Sequence, residues 1–189
     1  MNQQQKKGGI PMSKKIVFDT ETTGFMEDDE VLQLSIIDET GKTLMNEYFR
    51  PKNKTEWPKA QEVNKISPEM VKDKPYISEY KEKIEKILQT AEAFIGYNVG
   101  YDIRMLEQCG INVPMKKQID VMKNFAPIYK DYDYRRRQYR YKNLKTCAEY
   151  YGYKSENLHD SLEDCKATLH CYKKMTQKEL SKKRDDYSR

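Results

Sequence analysis

The stretch Phe18-Asp19-Thr20-Glu21-Thr22-Thr23-Gly24 decides how this chain is read. The apolar run Ile16-Val17-Phe18 brings it in as a β-strand, and Thr-Thr-Gly closes it in a turn. Strand side chains alternate between faces, so Asp19 and Glu21 emerge on the same side. Two like charges side by side at a strand end repel each other, and a bound divalent cation is the usual compensation. The heptapeptide thus predicts a metal-dependent site, provided further acids reach it from elsewhere in the chain.

The chain has 189 residues, enough for one domain, with 37% hydrophobic and 34% charged residues. Its net charge of +5 suits an anionic substrate that must approach the carboxylates, although plain solubility explains such a balance equally well. Cys109, Cys147, Cys165 and Cys171 form no CxxC pair and no zinc-like spacing with the two histidines. Reduced, mostly buried thiols in a cytoplasmic protein are expected. No stretch approaches the roughly 18 apolar residues that span a bilayer, so no membrane partner is expected. Residues 1–13, polar and broken by Gly8-Gly9, read as a flexible leader. Residues 14–178 then form the functional domain and residues 179–189 a charged tail, frayed over 181–189.

Working outward, the run 31–37 alternates in part and ends at the turn Asp38-Glu39-Thr40-Gly41, with 43–49 as its hairpin partner. Pro51, Pro58, Pro68 and Pro75 make 51–75 a loop with short helical pieces. Ile77, Tyr80, Ile84, Ile87, Leu88 and Ala91 recur at helical spacing. A strand over 93–97, a helix over 101–109, a fifth strand over 118–121 and helices over 143–151 and 161–174 follow. A strand meander followed by strand–helix alternation predicts an α/β fold with a mixed sheet.

Two further groups carry chemistry. Asp102, in Asn98-Val99-Gly100-Tyr101-Asp102, falls at a strand-to-helix junction, where α/β sites assemble. A helix-start Asp favoured by the dipole is its bland alternative. In His159-Asp160-Ser161-Leu162-Glu163-Asp164, Asp160 and Glu163 read as capping groups. That leaves His159 on the loop before the helix and Asp164 inside it.

Asp19-x-Glu21, then Asp102, then His159 five residues before Asp164 resemble the DnaQ-like exonucleases. These are 3′-to-5′ exonucleases with four acidic residues and a histidine. They include the proofreading epsilon subunit of bacterial DNA polymerase III, ribonuclease T and oligoribonuclease. The resemblance runs from about Lys14 to Lys174, and its three motifs in this order are specific. It implies a ribonuclease-H-like fold, a five-stranded mixed sheet flanked by helices, and two bound Mg²⁺ or Mn²⁺ ions. It further implies that Asp19 bridges both ions, Glu21 and Asp164 complete one site, Asp102 serves the other, and His159 is the general base. Single-stranded DNA or RNA 3′ ends are the implied partners, with a DNA polymerase for proofreading types; monomer and homodimer both stay open. A non-catalytic nucleic-acid-binding module on the same fold is the alternative from another class.

The family seats the terminal 3′-hydroxyl on backbone groups at the positions of Thr22, Thr23 and Gly24. Phe25 either stacks on the last base or fills the core. Where relatives often carry His and Phe in the second motif, Tyr97 and Tyr101 stand here, with Asn98 retained. Tyr101 is expected against the terminal nucleotide. Asn64, in Asn64-Lys65-Ile66-Ser67-Pro68-Glu69, resembles the family's substrate loop. Finally, 129–142 interleaves tyrosines with Arg135, Arg136, Arg137, Arg140 and Lys142. Such a mixture grips single strands, or else forms a solvated surface helix with its tyrosines turned to the core.

Overall fold

In the computed structural model, residues 15–154 and 158–187 are described, with side chains through Lys178. The leader expected at 1–13 lies outside the described residues.

Strand β1 (Lys15–Thr22) pairs antiparallel with β2 (Val31–Asp38), which pairs antiparallel with β3 (Thr43–Tyr48). On its other side β1 pairs parallel with β4 (Ala93–Gly96), and β4 pairs parallel with β5 (Lys117–Asp120). The order β3-β2-β1-β4-β5 is the expected five-stranded mixed sheet, with the acid-bearing strand at its centre. Every residue of β2 is buried, because helices cover both faces of the sheet.

On one face Ile16, Phe18 and Phe94 pack against α3 (Lys81–Thr90) and α4 (Val99–Gln108) through Ile84, Leu88, Met105 and Leu106. On the other, Val17, Ile37 and Ile95 pack against α5 (Val121–Tyr129), α6 (Leu144–Tyr150) and α7 (Ser161–Tyr187). Alternation along β1 divides the two cores. Val17, Asp19 and Glu21 share the α7 face; Ile16, Phe18 and Thr20 share the α4 face.

The proline-rich connection holds short helices α1 (Pro58–Asn64) and α2 (Pro68–Val71), each started by proline, where the missing N–H costs nothing. Trp57, Ile66 and Val71 bury against Leu32, and the Trp57 indole donates to the Ile66 carbonyl at 2.7 Å. That satellite core pins Asn64 beside the end of β1.

Three local readings change. The first turn of the helix expected from Ile77 is a 3₁₀ turn, Ile77–Tyr80, ahead of α3. Helix α7 does not stop near residue 174 but continues through the segment expected to fray, reaching Tyr187. No Gly or Pro interrupts it, and its residues beyond 174 are mostly good helix formers. The surface-helix alternative for 129–142 gives way to a hairpin of β6 (Tyr132–Asp133) and β7 (Gln138–Tyr139). Asp133 accepts from the amides of Arg135 and Arg136, a local turn that competes with helix.

All four cysteines are free, and three are buried, as expected. Among the described residues no helix is long and apolar enough to cross a membrane.

Candidate active site

Strand β4 runs beside β1 only as far as Val17, so the edge of β1 beyond it is open. Asp102, in the first turn of α4, fills that gap. Its Oδ1 accepts from the Thr20 amide at 3.0 Å and from Thr20 Oγ1 at 2.8 Å. Asp102 is therefore not a cap for its own helix but a buried carboxylate aimed at the acid-bearing strand.

From the opposite layer comes Asp164, on the first turns of α7. Asp160 caps that helix as expected: its Oδ1 accepts from the amides of Leu162 and Glu163 at 3.1 and 3.2 Å. Its Oδ2 accepts from Gln33 at 3.0 Å and Tyr48 at 3.3 Å. Ser35 and Ser161 hydroxyls meet at 2.7 Å beneath it. This buried polar layer between β2 and the start of α7 fixes where Asp164 points. The Glu163 carboxylate accepts from Tyr153 at 2.8 Å.

One oxygen each from Asp19, Glu21 and Asp164 falls within 4.8 Å of the others. Burial, then the charges of Asp102, Asp164 and Glu21, drives the Asp19 carboxyl well above the usual carboxylate range. Burial and then Asp164 and Asp102 push Glu21 up to about 9, partly offset by the Asn64 amide. Asp102 and Asp164 each rise to about 7, burial again leading; Thr20 restrains Asp102, and the His159 amide restrains Asp164. The charges acting most strongly on Glu21 are other carboxylates. An all-oxygen donor set held together against its own repulsion suits a hard divalent cation.

His159 lies on the loop before α7, exposed, with a left-handed φ of 81°. Its amide donates to Asp164 Oδ1 at 3.2 Å, tying the loop to the acid.

The turn after the acid pair is built around Asp29, which the sequence did not single out. Asp29 is buried and accepts from Thr23 Oγ1 at 2.7 Å and from the Met26 amide at 2.8 Å. A Cβ on Gly24 would sit 2.4 Å from Asp29 Oδ2, so any side chain there would displace the hydrogen-bonded Asp29 carboxylate. Thr22 Oγ1 and Tyr101 Oη lie 2.6 Å apart, and both donate to the Gly24 carbonyl, at 2.8 and 2.9 Å. Burial pushes the Tyr101 phenol up to about 12. Phe25 is 78% exposed, its ring centre 5.8 Å from that of Tyr101, so it does not fill the core. Arg104 and Gln108 of α4 hold this loop through the carbonyls of Phe25, Met26 and Glu27.

A cleft of about 550 Å³ is lined by Asp19, Glu21, Asp102, Asp164 and His159, together with Thr22, Thr23, Gly24, Phe25, Asn64 and Tyr101. Tyr97, at the second-motif position, also lines it, as do Thr20, Asp29, Lys59 and Val63, which no sequence signal marked as cleft residues. Asn64 is buried, donating to the Thr22 carbonyl at 3.1 Å and accepting from the Ile66 amide at 3.0 Å. Asn98 adopts φ 70° ahead of α4 and lies outside the cleft lining, as do Arg135, Arg136 and Arg137. The arrangement offers a carboxylate cluster, an exposed imidazole and a turn with the exposed Phe25 ring on one wall.

The RNase T family model, described as Exonuclease, matches residues 16–172. A PolC-type DNA polymerase III of Caldanaerobacter subterraneus subsp. tengcongensis is 27% identical over 86% of this chain, which spans 12% of that protein. An uncharacterised exonuclease of Escherichia phage 186 is 26% identical, with 82% of this chain and 84% of the phage protein covered. Among solved structures, the E. coli ExoI–ssDNA complex with bound zinc has a TM-score of 0.65 at 18% identity. That match covers 82% of this chain and 38% of the other. Exonuclease X in complex with 5′-overhanging duplex DNA has a TM-score of 0.60 at 20% identity, covering 84% and 88%. The Neurospora crassa Pan2 catalytic unit has a TM-score of 0.70 at 19% identity, covering 97% of this chain and 30% of that one.

Proposed function

The chain belongs to this exonuclease family, whose model covers most of its length, and on that premise we propose that it is a metal-dependent 3′-to-5′ exonuclease. Its substrates are single-stranded or frayed 3′ ends, DNA first, and its products are nucleoside 5′-monophosphates. The observation that carries the reading is one cleft joining Asp19, Glu21, Asp102, Asp164 and His159. A non-catalytic module gains nothing from keeping carboxylates that repel one another.

Two Mg²⁺ or Mn²⁺ ions are the proposed cofactors, with Asp19 common to both, Glu21 and Asp164 serving one and Asp102 the other. When bound, such ions polarise a phosphoryl oxygen and acidify water. His159, on the exposed loop before α7 and lining the cleft, takes the proton of the attacking water. The backbone of the Thr22–Gly24 turn seats the terminal 3′-hydroxyl, and Tyr101 with Phe25 flanks the last base. Asn64 acts through Glu21 and Thr22, holding the acid and the turn in register. A DNA polymerase is the proposed macromolecular partner, by likeness to the polymerase relative.

Incubation with 5′-labelled single-stranded DNA and RNA, with and without Mg²⁺, tests the reading. A ladder shortening from the 3′ end, absent with chelator and absent for Asp19→Ala, is expected. If neither strand shortens in a metal-dependent way, the proposal fails.

A further inference from the structure

The β6–β7 hairpin stands outside the cleft and carries charge that the fold does not balance. Its two acids are consumed internally. Asp131 pairs with Lys142 and, at 4.0 Å, with Arg140. Asp133 Oδ2 lies 3.3 Å from Arg140 Nε, while Oδ1 accepts from the amides of Arg135 and Arg136 at 3.0 and 3.1 Å. Arg135, Arg136 and Arg137 are exposed at the turn, and their guanidinium groups have no acidic partner among the described residues. The internal pairings thus strip the hairpin of outward negative charge and leave three cations in a row.

Aromatic faces stand beside them. Tyr132 packs edge-on against Tyr134 at 5.1 Å and Tyr139 at 5.2 Å, and Tyr134 is 85% exposed. The hairpin is also fixed to the wall of the cleft. The Tyr97 hydroxyl lies 2.8 Å from the Lys142 carbonyl and 3.0 Å from that of Asn143, at the foot of β7, and Tyr97 is a cleft residue.

We propose that this hairpin binds the single-stranded nucleic acid upstream of the 3′ end, its arginines on phosphates and its exposed tyrosines against bases. The assignment rests on the reading that the strand's 3′ end occupies the cleft. Charge complementarity selects a polyanion, and the exposed Tyr134 ring, next in sequence to three unpaired guanidinium groups, selects one with flat, unstacked bases. An acidic protein surface would engage the arginines alone.

Fluorescence anisotropy in EDTA, where no strand is cut, measures affinity for labelled single strands of about 20 and about four nucleotides, DNA and RNA in separate arms. The triple variant Arg135→Ala, Arg136→Ala, Arg137→Ala is expected to weaken binding of the long strand about tenfold or more. It should also lower the log–log salt slope by about two, near 0.7 for each lost phosphate contact. The preference for long over short strands should collapse. Triple replacement by lysine should keep the slope, and Tyr134→Ala should cut affinity without changing it. Thermal melting checks that each variant folds.

Unchanged affinity and slope for both DNA and RNA overturn the proposal, as does loss of binding to poly-glutamate without loss of binding to nucleic acid. Failure of the nuclease reading is seen separately. In that case no strand shortens with Mg²⁺, while binding in EDTA still depends on the arginines.

Discussion

Asp102 and Thr20 are joined by two hydrogen bonds across the open edge of β1, both onto the same carboxylate oxygen. The residues are 82 apart in sequence, and the link exists because β4 ends before it could pair with the Thr20 amide. One Asp102 oxygen is thereby committed to the strand that carries Asp19 and Glu21, and the orientation of the other is set.

Thr20→Val keeps the shape of the side chain and removes one of the two donors. Groups that orient a metal ligand typically account for about 10- to 100-fold in metal affinity or activity. The expected result is a loss of that order, with a higher Mg²⁺ concentration for half-maximal rate. Titration of activity against Mg²⁺ checks it, and an unaltered Mg²⁺ requirement would count against a role for Asp102 in holding the ion.

Without metal, the acidic cluster makes stability depend on pH in a definite direction. Glu21 is raised from 4.5 to about 9, and Asp102 and Asp164 from 3.8 to about 7. The folded state therefore holds protons that the unfolded chain has released, and stability falls as pH rises. This contribution is complete below about pH 4, is largely lost through about pH 7, and is fully lost beyond about pH 9. Melting in EDTA should occur at lower temperature near pH 8.5 than near pH 5.5, with Mg²⁺ raising it more at the higher pH. A melting point in EDTA that ignores pH would contradict the geometry of the cluster.

His159→Gly separates stability from activity. A non-glycine residue at φ 81° is strained, and relieving such strain is worth about 0.5–1 kcal/mol. His159 is exposed, so no core packing is lost. The variant should melt at or above the wild-type temperature while its rate falls about 100-fold or more, as for loss of a general base. A variant with near-normal kcat assigns the proton transfer elsewhere.

Gly24→Ala tests the seat of the strand end. The added methyl meets Asp29 at 2.4 Å and must push the turn open. Overpacking of this kind costs about 1–3 kcal/mol. Because the turn is proposed to position substrate, KM should rise about tenfold. Steady-state kinetics on a short single strand reads this, and a normal KM in a folded variant would remove the turn from the binding surface.

Much of the site was legible because its signals are local. Asp19 and Glu21 share a face by strand alternation, and Asp160 marks the start of α7 by capping; both rules act over a few residues. Thr20, Asp29 and Gln33 carried no such signal. Thr20 reads as an ordinary strand residue, Asp29 as one acid in an acidic loop, and Gln33 as a polar residue in an apolar strand. Their roles come from partners 6 to 127 residues away. The hairpin at 131–142 was ambiguous for a related reason: alternating tyrosines and cations fit a helix face or a strand pair, and a single Asx turn at Asp133 decides.

The sequence alone determined the candidate groups: four carboxylates and a histidine in a characteristic order, on strand and helix starts. Tertiary structure alone decided their convergence. Asp102 approaches from one helical layer and Asp164 from the other, and they meet at β1 because the sheet order makes that strand central and β4 stops short of its end. Alternation and capping propagate over a turn or two of chain, whereas strand order and strand ends are set by the packing of the whole core.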